Sequence, residues 1–228
     1  MIDHAHDLAS VRDATERLLT AVAKLDNASV SEPSLLPGWS RGHVLAHVAR
    51  NADALVNVLG GRPMYVTAHA RDADIERDAP RPLSAQLVDV RESGARFQEA
   101  GAVSADWSRT VTLRNGVTDS ASRVPFRRWA EVELHHVDLG IGYELKDLPA
   151  EFTEREIDFL AERFTGHPDV PPTRLTDGTR AWSTGREADE PGGIVTGSPA
   201  ELLGWLAGRR DGSGLTVDGG PLPALPPL

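Results

Sequence analysis

Two predicted helices carry the residues best suited to chemistry. His43 and His47 stand four apart in one, and Glu131 and His135 stand four apart in the other, followed by His136 and Asp138. Positions i and i+4 lie one helical turn apart, with Cβ atoms roughly 5–6 Å from each other, so two side chains can converge on one ion. Two imidazoles and one carboxylate supply three donors and leave a fourth position open, the pattern of a catalytic zinc centre and not of a closed structural one. The same donor set also admits a non-haem iron. No His-Glu-x-x-His occurs in the chain, which removes the zincin metalloprotease reading. An isolated Glu-x-x-x-His pair is more commonly an exposed contact along a helix. A second histidine-bearing helix is what favours a metal here. Spacing leaves open whether His43 or His136 replaces or supports its neighbour.

Two further residues stand out by position. Asp138 lies three residues after His135 and seven after Glu131, on the same helical face. It could orient a ligand imidazole or meet a substrate, although a lone helical Asp more often pairs with an Arg. Arg209 follows Gly208 just past a short predicted helix. Its guanidinium could clamp a carboxylate through two parallel hydrogen bonds, or sit at the negative end of that helix. Trp39, Trp129 and Trp205 fall in or beside predicted helices, where packing is the default role.

The elements that must position these residues are legible from periodicity. Leu8, Val11, Leu18, Val22 and Leu25 form one apolar stripe, predicting a helix over 4–26. Pro33 and Pro37-Gly38 punctuate a loop, and Ser40 can then cap a second helix carrying Val44, Val48, Leu55 and Leu59, which Gly60-Gly61 and Pro63 stop. The charged connection from Arg62 to Pro82 is expected to run over the surface or across the mouth of a site. A third helix fits Leu83 to Phe97 and a fourth Phe126 to about Tyr143, with an extended stretch at Thr110-Val111-Thr112-Leu113 between them. Four such helices suggest a bundle, whose facing helices are a natural metal site.

The pattern changes after Pro149. Residues 151–164 read as helix, and then short apolar runs at Thr173, Arg180, Gly193 and Gly214 look like strands, interrupted by a helix that Ser198 caps with Glu201 completing a capping box. The fold class is therefore α+β, a helical bundle followed by a smaller mixed domain. The Pro-rich end, Pro221 to Leu228, reads as a frayed or surface-laid tail.

Composition narrows the function. Among 228 residues, 24 Lys+Arg face 34 Asp+Glu, a net charge of −10, and there is no cysteine. An acidic chain lacks the clustered cations that grip nucleic acid or an anionic membrane, and the pairs Arg127-Arg128 and Arg209-Arg210 are too short to reverse this. Zero cysteines exclude disulfides, thiolate metal sites and a cysteine nucleophile, so any thiol chemistry needs a thiol from outside. The first residues lack the basic start and apolar run of a signal peptide, and no apolar stretch nears the ~20 residues that span a bilayer. The expectation is a cytoplasmic monomer acting on a small molecule, with no nucleic-acid or membrane partner.

Several motifs resemble one family. Leu36-Pro-Gly-Trp-Ser-Arg-Gly-His-Val-Leu-Ala-His47-Val-Ala-Arg-Asn51-Ala is similar to the second-helix signature of the mycothiol-dependent maleylpyruvate isomerases, zinc proteins of the DinB-like four-helix superfamily. Pro63-Met-Tyr-Val66 and Ala70-Arg71 resemble the segment that follows. Glu131-Val-Glu-Leu-His135-His-Val-Asp138-Leu-Gly140 matches the fourth-helix motif, and Gly197-Ser-Pro-Ala-Glu-Leu-Leu-Gly-Trp-Leu-Ala-Gly-Arg209 resembles the C-terminal helix with its functional Arg. Glu133 and His136 depart from the more apolar residues expected around the Glu/His pair.

This resemblance implies a DinB-like four-helix bundle over residues 1–148 and a C-terminal α+β domain over 149–228 that contributes to the active site. His47, Glu131 and His135 would be the metal ligands, Arg209 the substrate-carboxylate contact and Asp138 a nearby helper, with His43 and His136 supporting or incidental. The implied cofactors are Zn2+ and mycothiol, and the implied reaction is cis-trans isomerisation of maleylpyruvate to fumarylpyruvate. In it the thiolate adds to the double bond, the new single bond rotates, and elimination returns the thiol. Two other readings fit the same motifs: a mycothiol S-transferase acting on another electrophile, and a zinc-dependent binding or regulatory module.

Overall fold

The computed structural model describes residues 3–103, 106–186 and 192–227, and divides into two compact units, Met1–Tyr143 and Glu144–Leu228. In the first, α1 (His4–Val22), α2 (Asn27–Ser31), α3 (Arg41–Leu59), α4 (Ala68–Asp78) and α5 (Leu83–Ala102) are followed by strands β1 (Thr110–Thr112) and β2 (Thr118–Ser120), and then by α6 (Val124–Asp138). The four long helices form the expected bundle: α1 and α3 each pack against both α5 and α6. Leu18 and Val22 from α1, Val48 and Leu55 from α3, Phe97 from α5 and Val132 from α6 are buried in its core.

Local chemistry fixes where α3 begins. The Ser40 side chain accepts from the His43 amide, and the His43 ring faces the Ser40 amide in return, closing a capping box around the first turn. The next residue pair inward is held as tightly. A Cβ on Gly42 would lie 2.2 Å from the Ala79 carbonyl oxygen, so only glycine lets α3 approach the end of α4 this closely. The buried Gln86 amide of α5 binds that junction by donating to the carbonyls of Gly42, Asp78 and Ala79.

Some elements differ from the sequence expectation. The first helix ends at Val22, and the fourth ends at Asp138 because Gly140 and Gly142 take left-handed backbone angles of 64° and 96° in φ. The connection from Arg62 to Pro82 holds α4, started by a Thr67 side chain that accepts from the Ala70 amide at 3.0 Å. The extended stretch at Thr110 is one arm of a hairpin, paired antiparallel with β2.

The second unit contains α7 (Ala150–Phe164), β3 (Thr173–Thr176), β4 (Ala181–Thr184), β5 (Ile194–Thr196), α8 (Pro199–Leu206) and β6 (Thr216–Asp218). Its sheet has the order β4-β3-β5-β6, with β3 and β5 parallel and the other pairs antiparallel. Helix α7 packs on α8 and on β4. Ser198 caps α8 by accepting from the Glu201 amide. Residues 221–227 form no helix or strand and lie half-buried or exposed; Leu228 is outside the described residues. The fold class is thus α+β, as the patterning predicts. Among the described residues, no helix is long and apolar enough to cross a membrane.

Candidate metal centre

Helices α3 and α6 bring three donors together. The His47 Nε2 lies 3.1 Å from a Glu131 carboxylate oxygen, and the His135 Nε2 lies 3.2 Å from the same oxygen. One ligand atom from each residue falls within 4.8 Å of the other two, close enough for one ion to touch all three. The two imidazoles meet edge to face, with ring centroids 4.6 Å apart. Glu131 and His135 share a face of α6 by their i,i+4 spacing, and His47 projects from the neighbouring helix.

The surroundings decide which imidazole nitrogen is available. Asp138, fully buried, accepts from His135 Nδ1 at 2.8 Å, which holds a proton on Nδ1; Nε2, facing Glu131, is the nitrogen turned to the centre and would ligate a metal only when deprotonated. His47 is less simply arranged. Arg71 donates to its Nδ1 at 3.3 Å, which favours the tautomer with the proton on Nε2, facing Glu131. Ligation through Nε2 would put the proton on Nδ1, and the Arg71 guanidinium would then have to turn away. The residues therefore fit a metal, with one side-chain adjustment. Trp39 walls the site, its ring 5.5 Å from that of His47.

Electrostatics follow the same division of roles. Burial pushes His47 down to about 4, against the pull of Glu131, so its imidazole is neutral at physiological pH, the state a metal ligand requires. Burial also opposes protonation of His135, but Asp138 and Glu131 outweigh it and hold its pKa above the usual histidine value. Burial would raise the Glu131 pKa, yet His135 and His47 keep its carboxyl well below the ordinary range. A carboxylate anion between two imidazoles, with its side chain 34% exposed, leaves a path for a fourth ligand from solvent.

Nearby charged and aromatic residues complete the environment. Arg128 is fully buried and donates to the Val48 carbonyl and to Asn51, both at 2.8 Å. Burial lowers its pKa to about 10, while Glu131 is the leading anion that favours its charge. Tyr65 is held against Arg71, and burial, then the Glu131 charge, raises its pKa, so its hydroxyl stays protonated. Composition marked Arg128 only as half of a basic pair, and gave no sign of Tyr65 as part of the site. Arg128 precedes Glu131 by three residues on α6, a spacing that sets the two side chains close together, whereas Tyr65 reaches Glu131 only through the fold, from the segment between α3 and α4.

The ambiguous histidines resolve into other tasks. His43 is the capping-box partner of Ser40 at the start of α3, with Nδ1 2.7 Å from the Ser40 hydroxyl. His136 faces away from the donors and stacks on Tyr143 with centroids 4.0 Å apart. Glu133 points the same way and accepts from Arg17, from Trp129 Nε1 and from the Tyr143 hydroxyl. Both departures from the family motif thus lie on the far face of α6. Arg209 belongs to the second unit, where its amide donates to the Gly204 carbonyl and its guanidinium to the Ala207 carbonyl, each at 2.7 Å.

Comparison with known proteins agrees with the motif reading. Residues 11–140 match the model of the mycothiol maleylpyruvate isomerase N-terminal domain, and residues 147–227 match that of the corresponding C-terminal domain. The structure is similar to a crystal structure of the mycothiol-dependent maleylpyruvate isomerase, with a TM-score of 0.89 and 29% identity over 99% of this chain and 97% of that one. A histidine-to-alanine mutant of that enzyme aligns over the same shares at 29% identity, with a TM-score of 0.88. No curated protein sequence matches the chain.

Proposed function

Because the chain belongs to the mycothiol-dependent maleylpyruvate isomerase family, we propose that it converts maleylpyruvate to fumarylpyruvate with mycothiol as the thiol and Zn2+ held by His47, Glu131 and His135. The observation that carries this reading is the convergence of those three donors, backed by Asp138. When bound, the metal supplies a Lewis acid that favours the thiolate form of the incoming thiol at neutral pH.

The chain's own residues do the rest. Asp138 fixes the His135 tautomer, so the Nε2 lone pair is presented without a search over ring orientations. Glu131 contributes the one negative charge among the three ligands. With no cysteine in the chain, the reactive sulfur is external, and the open side of Glu131 is where it enters. Arg209 is the proposed cation for one substrate carboxylate and for the negative charge that builds toward the enolate. Residues 1–148 would serve as the metal-binding domain and 149–228 as the domain that supplies Arg209.

The test is a maleylpyruvate assay on metal-quantified protein, with and without mycothiol. Conversion to the trans product only when thiol is present, with no net thiol consumed, is expected. Consumption of one thiol per product would replace the isomerase with an S-transferase, and no turnover with either would favour a zinc-dependent binding module.

A further inference from the structure

A cavity in the first unit, lined by none of the three candidate metal donors, has a different chemistry from the metal centre. It encloses about 550 Å³ between the end of α3, the segment after it and the β1 hairpin, within the usual size of a small-molecule site. Three arginines, Arg62, Arg109 and Arg114, line it, and among the described residues no Asp or Glu does. Arg62 donates to the Asn57 side-chain oxygen at 3.0 and 2.9 Å, and Arg109 donates to the Leu59 carbonyl. Both partners are neutral and leave the cationic charge uncancelled. Hydrogen bonds from Ser108 and, behind them, the Arg109 charge lower the pKa of Asp106, but among the described residues none of the three arginines makes an ion pair. Most arginines elsewhere in the bundle do: Arg17, Arg50, Arg77, Arg81, Arg96 and Arg127 each hold a carboxylate. In a chain with ten more acidic than basic residues, three uncancelled cations around one cavity make a local reversal of the overall field.

The cavity is connected to the metal centre through side chains. Tyr65 lines it, Tyr65 is held by Arg71, and Arg71 contacts His47. Arg114 also acts electrostatically on the Tyr65 hydroxyl. Guanidinium groups with no competing carboxylate favour an anion over a neutral polyol, which would gain more from a mixture of donors and acceptors. A dianionic substrate carries two carboxylates, and Arg209 can neutralise only one of them.

We infer that the three-arginine cavity is the docking subsite for a carboxylate of the anionic substrate, and that Arg114 tunes affinity for that end. This rests on the isomerase reading above. Arg114 is the residue to vary, since it is exposed and makes no side-chain hydrogen bond among the described residues.

The experiment uses the full-length zinc-loaded protein, with Arg114→Ala and Arg114→Lys alongside the parent. Steady-state kinetics are run against maleylpyruvate and against mycothiol, and succinate, an unreactive dicarboxylate, is titrated by NMR. Losing one charge-assisted contact predicts a rise of about tenfold in the substrate KM and in the succinate Kd for Arg114→Ala. The kcat and the thiol KM stay at parental values, and Arg114→Lys recovers part of the loss. A rise in the thiol KM in place of the substrate KM would assign the cavity to the thiol and overturn the inference, as would unchanged succinate binding in both variants. If the parent shows no isomerase turnover, the isomerase reading fails, while the succinate titration still decides whether the cavity binds a carboxylate.

Discussion

At the scale of single residues, the site works by assigning protons. His135 can lend Nε2 to a metal because Asp138 accepts from its other nitrogen, and Asp138 is in turn locked by burial. Replacing Asp138 by Asn removes the charge that fixes this tautomer while keeping the shape. Loss of such a partner typically weakens metal affinity by roughly 10–100-fold. A competition titration with a zinc chelator should show that drop for Asp138→Asn, whereas parental affinity would mean that Asp138 acts elsewhere. Arg71 has the opposite sense, since its contact to His47 Nδ1 favours the tautomer that points a proton at Glu131. The pairing of Glu131 with His135 was legible in the sequence because i,i+4 spacing is a local property of a helix. What spacing could not decide was His43 against His47. That choice is made by Ser40, whose hydroxyl and amide engage the His43 ring at the first turn and leave His47, a turn further in, to face α6.

At the scale of elements, α3 is the piece whose placement sets the site, and Gly42 is its tightest constraint. Gly42→Ala would gain about 1 kcal/mol of helix propensity. The added Cβ would meet the Ala79 carbonyl oxygen at 2.2 Å, a backbone atom that no rotamer change can move. Overpacking of this kind costs about 1–3 kcal/mol, so the clash prevails over propensity and the net change is destabilising. Chemical denaturation should show a lower midpoint for Gly42→Ala, and a higher one would mean that α3 and α4 separate freely. Long amphipathic helices were readable because apolar stripes repeat along them. Helix α4 was not, since only Ile75 and Asp78 are buried along its length and no stripe exists. Its one local signal is the Thr67 cap. The β1 hairpin carries a better one in Asn115-Gly116, both in left-handed conformation at φ 58° and 75°, a pairing that suits a tight turn. Strand β2, with the sequence Thr-Asp-Ser, gives no apolar alternation to read.

For the whole molecule, the proposed roles divide between the two units. All three metal donors and Asp138 lie in Met1–Tyr143, and Arg209 lies in Glu144–Leu228. A chain cut after Tyr143 should therefore bind zinc with nearly the parental affinity, since the bundle core that carries α3 and α6 is internal to it, and should fail to isomerise. Isothermal titration with zinc and the maleylpyruvate assay check the two halves of that statement; full turnover by the shortened chain would remove Arg209 from the reaction. The net charge of −10 places a second demand on the molecule, because an anionic substrate must find local cations in a repelling field.

The most direct measurement is a zinc titration into metal-stripped full-length protein at fixed mycothiol, following fumarylpyruvate and free thiol together. Activity that rises in proportion to bound zinc, levels off at an equimolar amount and leaves free thiol constant is the predicted result. Activity independent of zinc, or thiol that disappears in step with product, would contradict a thiol-recycling isomerase built on His47, Glu131 and His135.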